Sequence, residues 1–199
     1  MTYASDIAFT PKVKEFQEKR GSRAAYARME SERGWKTSVT PDLAAFLGER
    51  DSFYLATTNG EGQPYIQHRG GPKGFLRVLD ERTLAFADYR GNRQYITTGN
   101  LSENPRAFIF LMDYANRGRV KIWGEARVVE NDPVLVKQLF PEGYRAQAEQ
   151  AIVFTITAWD GNCPSHIPQK IDAADVAAAL EARDQRIAAL EAEVARLKA

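Results

Sequence analysis

The chain has 199 residues, 44 % hydrophobic and 27 % charged, with a formal net charge of +1 and one cysteine. This suits one soluble globular domain with extensions, and the near-zero charge excludes a broad electrostatic case for nucleic acid or an acidic membrane. No run of about 18 apolar residues exists to span a membrane, and a lone cysteine forms no internal disulfide.

Three short helices are predicted first. "TPKVKEFQEKRG" offers Thr10 as N-cap, Pro11 at the first helical position and Gly21 as stop. "SRAAYARMESERG" offers Ser22 and Gly34 in the same roles. "TPDLAAFLGERD" offers Thr40 and Pro41, with Leu43, Phe46 and Leu47 on one core-facing stripe. From Phe53 the texture becomes strand-like. "FYLATT", "PYIQHR", "GFLRVL", "TLAFAD", "AFIFLMD", "VKIWGEARVV" and "AIVFTITAW" are short apolar or alternating runs, several separated by turn signals. In "VKIWGEARVV", Val120, Ile122, Ala126 and Val128 point one way and Lys121, Trp123, Glu125 and Arg127 the other. Roughly seven strands with few intervening helices predict an antiparallel barrel or sandwich. "NRQYITTGNL" and "DPVLVKQLF" are predicted as short helices between strands.

The first twenty residues lack a long apolar core, so no secretory signal is expected. The protein is expected in the cytoplasm, and the sequon at Asn100 carries no meaning there. The tail, 171–199, is rich in Ala, Glu, Arg and Leu without Gly or Pro. Leu180, Ile187 and Val194 are seven apart, with Val176, Leu190 and Leu197 on the other heptad position and Arg183 breaking that line. This predicts a helix of about seven turns with a narrow apolar stripe. It would pair with a partner subunit as a coiled coil, or pack along its own barrel. The expected division is a domain over 1–170 and a helical tail over 171–199.

Several kinds of chemistry lack their signature. "RGGPKG" leads into a strand and not a helix, so a Rossmann site fails on context, and no glycine loop ends in Gly-Lys-Ser/Thr. A zinc site would need both histidines, Cys163 and a carboxylate to converge from distant segments, so no metal is expected. Cys163 and His166 lie three apart in "WDGNCPSHIPQK", a loop stiffened by Pro164 and Pro168. No helix N-terminus is predicted beside Cys163 to activate the thiol, so no catalytic residue is assigned. Two clusters remain. "QHRGGPKG" places His68, Arg69 and Lys73 around glycines, and "ADYRGNRQ" places Asp88, Tyr89, Arg90, Asn92 and Arg93 around Gly91. Glycines let backbone approach a ligand and arginines hold phosphate through paired hydrogen bonds, although polar hairpin loops look similar.

The ordered pieces "LATTNGEGQPYIQHR", "TLAFADYRGNRQYITTGNLSENPRA", "FIFLMD" and "RVKIWGEARVV" resemble the pyridoxamine 5'-phosphate oxidase-like family over about residues 40–160. The resemblance implies an antiparallel FMN-binding split β-barrel, mainly β within an α+β chain, with N-terminal helices and a long C-terminal helix. It implies a homodimer with FMN at the subunit interface. The oxidases' phosphate-binding arginine maps to Arg69, and their Ser-Arg-Lys run maps to Asn92, Arg93 and Gln94. Lys73, in an inserted "GGPKG", is the candidate to replace the lost lysine. The residues before the run map to Ala87 and Asp88, and Asp88 would bond the flavin or cap the turn. Gln67, His68 and Gly70 would line the ring. "WDGNCPSHIPQK" replaces the oxidases' substrate-phosphate element and is similar to a signature of a flavoprotein branch. Its Trp159, Asn162 and His166 would line the cofactor or substrate pocket, as Cys163 could. Trp123 and Trp159 would cover the ring or serve as core. The implied function is an FMN oxidoreductase passing hydride through N5 to or from a small organic molecule. The alternative is a flavin or haem binder without turnover, with His68, His166 or Cys163 as the available axial ligands.

Overall fold

A computed structural model describes residues 2–161 and 165–198. After a 3-10 turn (Ala4–Ile7) come α1 (Pro11–Lys19), α2 (Arg23–Glu32) and α3 (Pro41–Gly48). Thr10 and Thr40 cap α1 and α3, accepting from the backbone N–H of Val13 and Leu43 at 3.3 and 3.2 Å. Ser22 departs from its expected role. α1 closes through Gly21 at φ 77°, with Ser22 N–H donating back to Gln17 O at 2.8 Å. That Schellman closure leaves Ser22 in helical backbone, so its hydroxyl does not cap α2 and instead donates to Gln17 O at 3.5 Å.

The sheet follows: β1 (Ser52–Thr58), β2 (Pro64–Gly70), β3 (Arg77–Val78), β4 (Thr83–Tyr89), β5 (Arg106–Asp113), β6 (Gly118–Val129) and β7 (Ala148–Gly161). α4 (Ile96–Glu103) precedes β5, α5 (Pro133–Leu139) precedes β7, and α6 (Ala173–Lys198) ends the chain. The strand order is β2-β1-β5-β6-β7-β4-β3, an antiparallel sheet curled into a split β-barrel. Its interior holds Phe53, Phe86, Ile109, Leu111, Ile122 and Phe154, all at most 2 % exposed, with Leu43 and Leu47 of α3 closing one side. β6 alternates as its sequence predicts: Val120, Ile122 and Ala126 are buried, while Glu125 and Arg127 are exposed.

Two predicted elements differ. "GFLRVL" yields only the two-residue β3, because the segment before it folds back onto the α3–β1 connection. Gly71 and Gly74 donate to the carbonyls of Asp51 and Arg50, both at 2.9 Å. Gly74 sits at φ 73°, which favours glycine. Phe75 is thereby driven inside and stacks on Phe53 at 5.4 Å. "NRQYITTGNL" becomes helical only at Ile96, because Arg93 and Tyr95 hold left-handed φ values of 60° and 53°, outside the right-handed helix.

The described chain forms two compact units, 1–112 with 119–163, and 113–118 with 164–199. In the second, Gln169 Nε2 donates to Ala115 O at 2.9 Å and Lys170 Nζ lies 4.3 Å from the Tyr114 ring. Among the described residues no helix is long and apolar enough to cross a membrane. At the β6 bulge, a Cβ on Gly124 would lie 2.1 Å from Thr155 O and 2.6 Å from the Phe154 ring. Gly124→Ala is expected to cost roughly 1–3 kcal/mol, the scale of overpacking a filled core, read as a lower urea midpoint.

Candidate functional site

The site lies where the two ends of the sheet order approach each other. β2 is one margin, and β4 is next to the other. Alternation along β2 sends Tyr65, Gln67 and Arg69 to one face, where all three line a recess with Asp88 and the loop after β4. A register shift between Asp88 and Tyr89 ends regular pairing of β4 with β7 and re-aims both side chains. The Arg69 guanidinium pairs with Asp88 Oδ1, both side chains only 12 % exposed. Asp88 Oδ2 accepts from Gln150 Nε2 at 2.9 Å, and Gln150 Nε2 also lies 3.0 Å from Thr98 Oγ1.

α4 is fastened to the barrel by polar side chains. Thr97 Oγ1 donates to Gln67 Oε1 at 2.9 Å, Asn100 Nδ2 to Thr57 Oγ1 at 2.9 Å and Asn104 Nδ2 to Thr58 Oγ1 at 2.7 Å. Its N-terminus, Tyr95 to Thr98, lines the recess, and the left-handed Tyr95 gives it no side-chain cap. The first-turn N–H groups of a helix lack intrahelical acceptors and carry the positive end of its dipole, so this end favours an anion. Beside it, Arg93 Nε donates to the Tyr95 hydroxyl at 2.9 Å and lies 3.8 Å from Glu149 Oε1. The Tyr95 hydrogen bond and then Glu149 push the Arg93 guanidinium pKa upward. Arg90 Nε lies 3.6 Å from the same carboxylate.

A second recess, about 420 Å³, shares Gln67, Arg69, Asp88, Tyr89 and Gly91 with the first and continues past the ion pair. His68, Gly70, Phe75, Phe86, Tyr144 and Arg145 line its far part. The two form one groove, polar at one end and aromatic at the other. Two buried side-chain atoms in it have no hydrogen-bond partner, Arg69 Nε and the Tyr89 hydroxyl. Burial pushes the Tyr89 phenol up to about 12, with Tyr144 adding to the rise and Arg77 opposing it.

Gln67, His68, Arg69, Gly70, Asp88, Asn92, Arg93 and Gln94 therefore all line one groove. Lys73 does not: its side chain is 60 % exposed, 3.6 Å from Glu49. Trp159 sits nine residues along β7 from Gln150, about 30 Å at strand rise. Its indole N–H donates to Ser38 O at 2.7 Å and its backbone bridges Lys36. Trp123 stacks on Trp35 at 4.6 Å, on the outward face of β6. Asn162 and Cys163 lie outside the described residues. His166 belongs to the second unit, exposed and at φ 64°. The sequence reading passed over Tyr95, Thr97, Thr98, Glu149 and Gln150. The threonine pair opening a helix after "NRQY" is a readable anion-site signal. Glu149 and Gln150 reach the groove through strand pairing across some sixty residues, which no local pattern reports.

Residues 39–163 match the family model described as pyridoxamine 5'-phosphate oxidase. The chain belongs to that family. The match spans β1 to β7 and hence every element that lines the groove. HupZ of Group A Streptococcus is 16 % identical, aligns over 66 % of this chain and 99 % of its own, and superposes with a TM-score of 0.51. An FMN-binding protein from Syntrophomonas wolfei is 12 % identical over 73 % of this chain and 97 % of its own, with a TM-score of 0.49. A putative pyridoxamine 5'-phosphate oxidase from Lactobacillus delbrueckii is 19 % identical over 63 % and 95 %, at 0.48. The HupZ likeness is one of fold. No curated protein matches the chain.

Two outcomes follow for the groove of this family member. Asp88→Ala strands a buried guanidinium and is expected to cost about 3–5 kcal/mol, whereas adding Arg69→Met recovers most of it; urea titration of the three proteins measures this. Tyr89 is expected to remain protonated while the unfolded chain ionises, so its contribution to stability is lost as pH rises from about 10 to about 12. Tyr89→Phe should therefore show a smaller alkaline drop in Tm than the parent.

Proposed function

We propose that the groove binds FMN, with the phosphate at the Asn92–Thr98 end and the ring along Gln67–Gly70, and that the protein is an oxidoreductase acting on a small organic molecule. The observation that carries this reading is the buried Arg69 Nε, an unmatched donor facing a groove whose other end is an uncapped helix N-terminus. A buried donor without an acceptor is costly, and a flavin carbonyl or phosphate oxygen would satisfy it. Arg93 supplies a cation, and Asn92 and Thr98 supply uncharged donors beside it. The donor set therefore fits a phosphorylated, planar cofactor.

When bound, FMN supplies hydride transfer at N5. The chain's part is to bind, orient and shield. Asp88, itself fixed by Gln150, holds the Arg69 guanidinium in one place, so a donor would be preorganised where a reduced ring would gather negative charge. Phe75, Phe86 and Tyr89 form a low-dielectric wall at the aromatic end. No histidine, cysteine or carboxylate is required as a nucleophile in this scheme. The organic substrate would enter over the aromatic end, where His68 and Arg145 offer polar anchors.

A second copy of the chain completes the site in this reading. β2 is a margin strand, and Ile66 on it is 61 % exposed, beside Tyr54 at 38 %. An apolar patch flanking a groove fits a homodimer that covers the cofactor. The single cysteine agrees with a reducing cytoplasm.

The test begins with the absorbance spectrum of protein purified under native conditions and mass spectrometry of any released ligand. Flavin bands and FMN are expected, bleached by a nicotinamide donor; a Soret band would instead assign the site to haem, with His68 as the groove's histidine. FMN is expected to bind more tightly than riboflavin. Arg93→Ala should lower FMN affinity by roughly tenfold, the worth of one charged hydrogen bond, while leaving riboflavin unchanged. Equal affinity for the two, or no binding at about micromolar concentration, rejects the reading.

A further inference from the structure

α6 carries an apolar stripe that is exposed along the described helix. Val176, Leu180, Ile187, Leu190, Val194 and Leu197 are 42 to 76 % exposed, and no residue of the helix is buried. The steps from Val176 through Arg183 to Leu197 alternate four and three, the spacing of a coiled-coil seam. Leu180, Ile187 and Val194 occupy one core position, a; Val176, Arg183, Leu190 and Leu197 occupy the other, d. The remaining positions are largely alanine, the best helix former. A shallow recess bounded by Ile187, Leu190, Val194 and Ala195, with Glu191 and Lys198 at its rim, is the kind of hole that receives a knob from a facing helix.

We propose that α6 pairs with α6 of a second copy of this chain as a parallel, two-stranded coiled coil. The charges choose the occupant and its direction. The flanking g positions hold Ala179, Arg186 and Glu193, and the e positions hold Asp184, Glu191 and Lys198. In a parallel pair, each g residue faces the partner's e residue five places on. Arg186 then meets Glu191 of the partner subunit, and Glu193 meets Lys198 of the partner subunit. Two-fold symmetry doubles both attractions, against one like-charge meeting, Arg183 with Arg183 of the partner subunit in its own layer. An antiparallel pair layering Ile187 on Leu190 would set Asp184 against Glu191, like against like, which offsets the Arg186–Glu193 attraction it makes on the other flank. Core composition agrees: β-branched Ile187 and Val194 at a, with Leu190 and Leu197 at d, favour two parallel strands. Arg183 at d penalises its own layer and thereby marks the register, as polar core residues do. This pairing stands independently of what the groove binds.

The test uses the full chain. Leu197→Cys in a Cys163→Ser background leaves residue 197 as the sole thiol. In a parallel pair the two copies of residue 197 lie side by side, so mild oxidation is expected to yield a disulfide-linked dimer. Adding Arg186→Glu sets glutamate against Glu191 on both flanks and should slow cross-linking by roughly tenfold. Adding Glu191→Arg as well reverses the pair and should restore the rate to within about twofold. Absence of the cross-linked dimer, as when α6 lies along its own barrel, overturns the proposal. So does a rate indifferent to Arg186→Glu. Cross-linking of a Leu197→Cys chain to a Leu180→Cys chain, without cross-linking of the former to itself, would show the antiparallel arrangement and overturns it too.

Discussion

The ion pair between Arg69 and Asp88 joins a strand at one end of the sheet order to a strand near the other. A seven-stranded antiparallel sheet can remain open or curl, and hydrogen bonding along the ladder does not choose between them. The apolar interior favours the curled form, and the ion pair bridges its margins, where loss of one partner would leave the other desolvated and uncompensated. Gln150 and Thr98 extend the same network from Asp88 to α4, and Thr97 returns it to Gln67 on β2. The elements that line the groove are thus linked by one arrangement of polar side chains. The energetic balance of such a network is poor when one partner is removed, and that ties the integrity of the fold to the chemistry of the site.

Two left-handed non-glycine residues lie at the groove. Arg93 and Tyr95 both adopt left-handed backbone, which costs non-glycine residues free energy and persists only when the surroundings enforce it. The enforcing contacts are visible: α4 is tied down by Thr97, Asn100 and Asn104, and Glu149 draws Arg90 and Arg93 together. The loop can then change direction within four residues and present a helix start and a guanidinium to one small volume.

Much of the fold was readable because its signals are local. Thr10 and Thr40 cap as their sequences predict, and β6 buries alternate residues along its length. The groove was readable to the extent that its residues are neighbours in sequence: Gln67 to Gly70 on one strand, Asn92 to Gln94 in one loop. What failed to read was non-local or conformational. Glu149 and Gln150 carry no mark of their role before β7 is set against β4. Lys73 looks like a ligand by charge and spacing, yet its loop folds back on Asp51 and turns it toward Glu49. Ser22 looks like a cap, yet the closure of the preceding helix uses its backbone first. In each case a longer-range constraint overrode a local preference.

Phe75 belongs to the buried core and also to the wall of the groove's aromatic end. One ring therefore sets both the packing density of the barrel and the space available to whatever occupies the recess. Trimming it would open room for a bulkier guest while hollowing the interior; enlarging it would press on Phe53 and Phe86. The volume of this recess can change only as fast as the interior finds compensating changes, so its size is inherited with the scaffold and is not adjustable from the loops alone.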